Sequence, residues 1–230
     1  MAEVIKINDN TWRIEDTGVR FYLLCGTERA ALIDTGMNTP DARQIAEGLT
    51  SLPLILINTH ADPDHISGNA SFDSFYMSPN EEGNLRNHTG EGEIIPIKEG
   101  DVIDLGERPL RIIDIPGHTR GSIGILDEKQ RVLISGDSVQ DGKIFMFGPE
   151  RNLEVYIESM KHLEEYTNEF EDIYPMHGTI PVQKELIGKL IEGAEDIIAG
   201  RAEGKTVEVF GNEVCLYNFS FAGFLCDPEK

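Results

Sequence analysis

Apolar and polar positions follow one another in short blocks along the chain, and the period of the pattern changes wherever turn residues intervene. Residues 12–15, 19–24 and 30–33 are apolar-rich and β-branched or aromatic. Turn residues such as Asp16-Thr17-Gly18 separate them, and they predict three strands. Asp34-Thr35-Gly36 closes the third as a turn, and Pro40 with Asp41 opens a helix through about Leu49. Residues 52–58 are almost continuously apolar over one strand's length, the pattern of a strand buried on both faces. A polar loop over 58–68 follows, then an aromatic run at 72–76. Residues 80–93 are rich in Gly, Asn and Glu and predict an exposed excursion.

Further along, residues 110–115 predict a strand that ends in Pro116-Gly117-His118-Thr119. Residues 123–126 and 132–135 predict two more, the second ending in Gly136-Asp137. Leu153, Ile157, Met160 and Leu163 recur at helical spacing over 153–165. Residues 172–177 read as a strand with a polar end, 182–199 as a helix, and 206–225 as a strand-like tail. No repeat, low-complexity segment or linker interrupts the pattern, so one α/β domain over residues 1–230 is the simplest account.

Composition narrows the function classes. Hydrophobic residues make up 40% of the 230, enough for a core. The longest apolar runs fall well short of the roughly 20 residues that cross a bilayer as a helix. Residues 1–12 carry neither a basic flank nor a continuous apolar stretch, so no signal peptide is visible and a cytoplasmic, non-membrane protein is expected. Lys and Arg number 20 against 41 Asp and Glu, a net charge of 20 − 41 = −21. That balance argues against a nucleic acid partner, which needs clustered cations, and leaves a small-molecule substrate as the expected partner. The three cysteines, Cys25, Cys215 and Cys226, are odd in number and widely spaced. They support neither a disulfide framework nor a zinc knot.

Chemistry concentrates where four strand-like runs end: His60 to His65, His118, Asp137 and His177. Strand ends are where the loops of an α/β site converge. Imidazoles beside carboxylates suit zinc, iron and manganese, and a divalent cation relieves the repulsion between the carboxylates. In an extended segment His60, Asp62 and Asp64 fall on one side, with His65 turned toward a neighbouring centre. Pro63 holds Asp62 in extended geometry. Two adjacent metals are favoured over one crowded metal.

These residues resemble the metallo-β-lactamase superfamily, whose motif is His-x-His-x-Asp-His followed by a distant His, Asp and His. The matching positions read His60-Ala61-Asp62-Pro63-Asp64-His65, Gly117-His118-Thr119, Gly136-Asp137 and Met176-His177-Gly178, with Asp34-Thr35-Gly36 matching an early Asp-Thr-Gly turn. The resemblance implies an αββα four-layer sandwich, two mixed β-sheets face to face with helices on the outer faces. It implies His60, Asp62 and His118 on one metal, Asp64, His65 and His177 on the other, and Asp137 bridging both. It further implies a dinuclear metal-dependent hydrolase in which metal-bound hydroxide attacks an ester, thioester or lactone carbonyl. Asp64 and Asp137 would be catalytic, with Asp64 relaying the proton. Asp62 stands where most members carry histidine. An acidic residue there, and the 18 residues between His118 and Asp137, are similar to the flavodiiron branch. The two divalent ions are therefore zinc or iron, with manganese allowed, and a di-iron redox core lacking the flavodoxin domain is the alternative function.

Lesser candidates surround this set. Phe145 and Phe147 are placed either to wall a substrate pocket or to pack on the core, and Arg120, Thr119 and Ser122 to meet an anionic ligand. His88 and His162 are expected in solvent, and Asp34 as a turn-capping carboxylate beneath the site. Glyoxalase II-like members hold glutathione with a C-terminal helical domain. The tail after Ala199 is strand-like instead, suited to finishing the second sheet or to contacting another subunit in a homodimer.

Overall fold

The computed structural model describes residues 2–88 and 92–228, and the chain divides into two compact units. The first comprises Met1–Ile113 and Ile125–Gln130, the second Asp114–Gly124 and Arg131–Lys230. In the first unit, β1 (Glu3–Asn8), β2 (Thr11–Glu15), β3 (Arg20–Cys25) and β4 (Ala30–Ile33) form an antiparallel meander. Helix α1 (Ala42–Leu49) then carries the chain to β5 (Leu54–Ile57), which pairs parallel with β4. β6 (Ser74–Met77) and β7 (Glu93–Pro96) extend the sheet in parallel, and α2 (Glu82–His88) lies between them in sequence. The sheet has seven strands in the order β1-β2-β3-β4-β5-β6-β7, with its change from antiparallel to parallel at β4. β8 (Val102–Asp104) and β9 (Pro109–Asp114) form an antiparallel pair, and β10 (Ile123–Asp127) is divided between the two units.

The core of the first unit collects Phe21, Leu23, Leu32, Leu56, Phe75 and Met77, with Ala42 and Ala46 from α1. Fully burying each large side chain contributes about 1.5–3 kcal/mol before the entropy of ordering it. The apolar run at 52–58 forms the expected strand, but it is not buried on both faces along its length. Leu56 and Ile57 are buried, whereas Leu54 and Ile55 are half-exposed. Burial deepens toward the polar loop that follows.

The second unit contains β11 (Val132–Ile134), β12 (Lys143–Met146), α3 (Leu153–Glu164), β13 (Asp172–Tyr174), β14 (Val182–Gln183), α4 (Leu186–Ile198), β15 (Gly204–Val209), β16 (Asn212–Asn218) and β17 (Gly223–Cys226). Asn152 caps α3 by accepting a hydrogen bond from the Val155 amide. The buried apolar side chains of α4 (Leu186, Ile187, Leu190, Ile191, Ala194 and Ile197) recur on one stripe, as the sequence pattern requires. The helix starts four residues later than its apolar pattern. Val182 and Gln183 instead pair antiparallel with β13, after a cis Ile180-Pro181 bond. The strand-like tail forms a four-stranded sheet with β12, in the order β12-β17-β16-β15. The three cysteines form no disulfide. Among the described residues no helix is long and apolar enough to cross a membrane.

The excursion expected over 80–93 is the largest departure, and residues 89–91 of it lie outside the described residues. Residues 82–88 are helical, and Glu81, Asn84 and Leu85 are buried. Another buried polar residue lacked any sequence signal. Arg108 is 1% exposed, and its guanidinium donates two hydrogen bonds to Asp127 Oδ2, at 2.8 and 2.6 Å. Three further donations reach Thr11 Oγ1 and the carbonyls of Asn10 and Cys25. The fork of Arg suits such a hub, because its donors are fixed in a plane and remain charged. Removing one member leaves an uncompensated buried charge. Asp127→Ala should therefore lower stability by about 3–5 kcal/mol, read as a fall in the denaturant midpoint at constant slope.

Candidate metal centre

Parallel pairing of β4 and β5 aligns Ile33 with Ile57, so both strands release their chains into loops at one level. Asp34, the next residue of the first loop, is fully buried at φ +62°, a backbone region costly for most side chains and tolerated by Asp. Its amide donates to Ile57 O at 3.0 Å. Its carboxylate accepts from the Thr59 amide and the Thr59 hydroxyl, each at 2.7 Å, and lies 2.9 Å from His65 Nδ1. Asp34 is thus more than a turn cap: it orients the loop that bears the histidines.

Proton counting fixes the tautomers. The Thr59 hydroxyl has one proton and donates it in a hydrogen bond to Asp34, so at 3.0 Å from His60 Nδ1 it accepts a hydrogen bond from that nitrogen. His65 Nδ1 faces the Asp34 carboxylate and donates to it. In the second unit His118 Nδ1 lies 3.0 Å from Phe145 O, a carbonyl that can only accept. All three rings carry hydrogen on Nδ1, and in the neutral imidazole that makes Nε2 the lone-pair nitrogen. Carboxylate or carbonyl partners behind a ring are the usual means of holding a metal-binding histidine.

In the first unit His60, Asp62 and His65 are buried and Asp64 is half-exposed. His60 Nε2 lies 3.6 Å from Asp62 Oδ2, and His65 Nε2 lies 3.5 Å from Asp64 Oδ2. The His60 and His65 rings are 4.0 Å apart. Asp64 therefore does not share a face with His60 and Asp62, as the extended reading expected. The His65 amide donates to Asp62 O at 2.9 Å, closing a turn with Pro63 at its second position. The chain reverses after Asp62, and Asp64 swings toward His65.

The second unit builds its set on β11 and β13, whose parallel register pairs Ile134 with Tyr174. Asp137 and His177 each stand three residues beyond that pair, and a Met176 N–H to Gly136 O bond ties the two loops side by side. Asp137 Oδ2 lies 3.2 Å from His177 Nε2 and 3.8 Å from His118 Nε2. One carboxylate oxygen faces both imidazoles. His118 follows Gly117, whose φ of +129° suits only glycine and whose Cα packs directly on the backbone of Tyr156 in α3. A side chain there would collide with the helix.

Each of these imidazole–carboxylate pairs puts Nε2 and Oδ2 between 3.2 and 3.8 Å apart. Two ligand atoms bound about 2.1 Å from one cation sit about 3.4 Å apart at a tetrahedral angle. Most of the pairs are too long for a hydrogen bond and suitably spaced for a shared cation. In each unit the donors are imidazoles and carboxylates, the ligand types that suit a divalent metal. The lesser candidates fall elsewhere. Thr119 and Ser122 are buried and bonded to each other at 2.7 Å, which locks the His118 turn. Arg120 pairs with Glu150 at 3.2 Å, His88 is exposed at the end of α2, and His162 is half-buried against Tyr166.

Asp34→Asn tests the orienting role, because asparagine tolerates the same backbone but presents one acceptor oxygen in place of two. The variant should fold with an unchanged far-UV spectrum and bind zinc about 10–100-fold more weakly in a chelator competition.

Comparison with known proteins identifies the family. The family described as the metallo-beta-lactamase superfamily matches residues 15–177. The acyl-coenzyme A thioesterase MBLAC2 of Gallus gallus is 28% identical over 72% of this chain and 75% of its own. A hydroxyacylglutathione hydrolase of Francisella tularensis is 32% identical over 51% of this chain and 46% of its own. Among solved structures, the metallo-beta-lactamase from Pontibacter korlensis superposes with a TM-score of 0.72 at 17% identity, over 85% of this chain and all of that one. That likeness shows the fold, a mixed α/β architecture of the expected sandwich type. The chain belongs to the metallo-β-lactamase superfamily and is a hydrolase of that fold.

Proposed function

We propose that this protein hydrolyses the thioester of a small molecule at a dinuclear metal site. His60, Asp62 and His118 would hold one divalent ion, Asp64, His65 and His177 the other, and Asp137 would bridge them. The observation that carries this reading is the repeated spacing of 3.2–3.8 Å between Nε2 and Oδ2 atoms, with one oxygen of Asp137 facing two rings. The imidazole and carboxylate donors suit zinc or iron, and manganese is also compatible. Such ions supply Lewis-acid polarisation of a carbonyl and a water that ionises near neutral pH.

The chain's own residues supply positioning and proton transfer. In the overall reaction water oxygen bonds to the carbonyl carbon, the carbon–sulfur bond breaks, and a proton reaches the departing sulfur. Asp64 suits that last task. Its side chain is 20% exposed, whereas His60, His65 and His118 are buried to within 1%. A carboxylate at the wet margin can take a proton from the attacking water and return it to the thiolate. The buried rings, held through Nδ1, exclude water and keep their orientation during turnover.

Thioesters are favoured within the hydrolase class because the similar proteins named above are, by name, an acyl-coenzyme A thioesterase and a hydroxyacylglutathione hydrolase, and an acyl group on either thiol carrier is a thioester. The charge of −21 favours substrates of low negative charge. The di-iron redox alternative rests on Asp62 and one spacing, and these similar proteins lend it no support.

Purified protein should cleave acyl-N-acetylcysteamine thioesters, and chelation followed by zinc or iron(II) should abolish and restore turnover. His118→Ala and Asp137→Ala should each reduce kcat/KM by more than about a hundredfold with the fold intact. With an acyl-coenzyme A substrate, kcat/KM should rise between about 10 and 150 mM salt as charge repulsion is screened. Metal-stripped protein that retained full activity would end this reading.

A further inference from the structure

Asp62 replaces a histidine with a carboxylate, and a carboxylate is the less determinate ligand. An imidazole held at Nδ1 offers a single nitrogen, whereas a carboxylate can rotate and offer either oxygen or both. A determinate site therefore needs something to hold Asp62, and α2 supplies it. Asn84 is 4% exposed, and its Nδ2 donates to Asp62 Oδ1 at 3.0 Å. The same amide nitrogen donates to Glu81 Oε2 at 3.3 Å. Glu81 is fully buried, and its Oε2 accepts from the Ala61 amide at 2.8 Å, between His60 and Asp62 in the chain.

This arrangement has one sense only. Two carboxylates flank the Asn84 amide, so its NH2 must face them both, and a flipped amide would set a carbonyl oxygen against two anions. With Oδ1 engaged, Oδ2 is the oxygen directed toward His60 Nε2, at 3.6 Å. Burying a carboxylate such as Glu81 is expensive unless its hydrogen bonds are made, and one of them comes from the ligand loop itself, the other from Asn84. The helix that carries Asn84 has seven residues, and among them only Asn84 and Leu85 are buried. One of those two packs in the core and the other reaches the site.

We propose that Asn84, anchored by Glu81, is a positioning residue that restricts Asp62 to metal binding through Oδ2 alone. The proposal rests on Asp62 being a ligand, as the functional reading above holds. A ligand limited to one oxygen occupies one coordination position instead of two, and leaves room for substrate or water on the same ion.

The test is metal titration of the full chain, stripped and reloaded with zinc or cobalt(II), with chelator competition giving the affinity of each site. Asn84→Ala should weaken one of two sites by about 10–100-fold, leave the other within about twofold, and alter the cobalt visible spectrum as the coordination number changes. Asn84→Asp, nearly the same size, sets a third carboxylate against Asp62 and should weaken the same site at least as much. In an Asp62→His background the effect of Asn84→Ala should fall below about twofold, because the oxygen it holds is gone. Thermal midpoints and far-UV spectra identify any variant that fails to fold, and the remaining variant then decides. An unchanged affinity and spectrum in the folded variant, or an equal loss in the Asp62→His background, overturns the role of Asn84 while leaving the dinuclear reading standing. A parent protein that binds neither metal overturns both.

Discussion

An imidazole has two nitrogens, and in a buried cluster the one that is hydrogen-bonded decides what the other can do. In this protein the constraint is met three times by three kinds of acceptor: a hydroxyl behind His60, a carboxylate behind His65 and a main-chain carbonyl behind His118. Asp34 lies at the base of two of these, because it takes the Thr59 proton that would otherwise compete for His60. One carboxylate in a left-handed turn thus sets two rings. That explains why a conformation with φ of +62° is retained in a fully buried residue.

The parallel strand pairs do the complementary work of bringing chain segments together. Where β4 pairs with β5, and β11 with β13, both strands of a pair end at the same level and their loops emerge side by side. Asp34 meets Thr59 and Asp137 meets His177 because each stands at a short, fixed distance past a ladder. Hairpins cannot do this, since antiparallel neighbours end at opposite edges. The ligands sit on loops, but their placement is set by rigid sheet.

Much of this was legible in the sequence. The ordered ligand residues at the ends of apolar runs pointed to a metal site, and the block pattern located most strands and both long helices. What escaped had physical causes. Helix α2 contains Gly83, Asn84 and Asn87, poor helix formers, and Leu85 as its one large apolar residue, so neither propensity nor period marks it. Its burial comes from tertiary contacts, and Asn84 and Glu81 were hidden with it. Asp64 departs from the extended pattern because a turn closes through Pro63 and reverses the chain there. Arg108 stands between Glu107 and Pro109 with nothing local to announce that its partners are residues 10, 11, 25 and 127.

The carbonyl that holds His118 belongs to Phe145 on β12, and β12 is an edge strand whose sheet neighbour is β17. That neighbour begins at Gly223, well past the span matched by the family, which ends at residue 177. A chimera cut at that boundary would inherit every ligand and β12 itself, yet lose β17, the strand that pairs with β12 and supports the carbonyl behind His118. The segment that looks like an appendage is thus an inseparable part of the active unit, and any shuffling of this domain must carry it along.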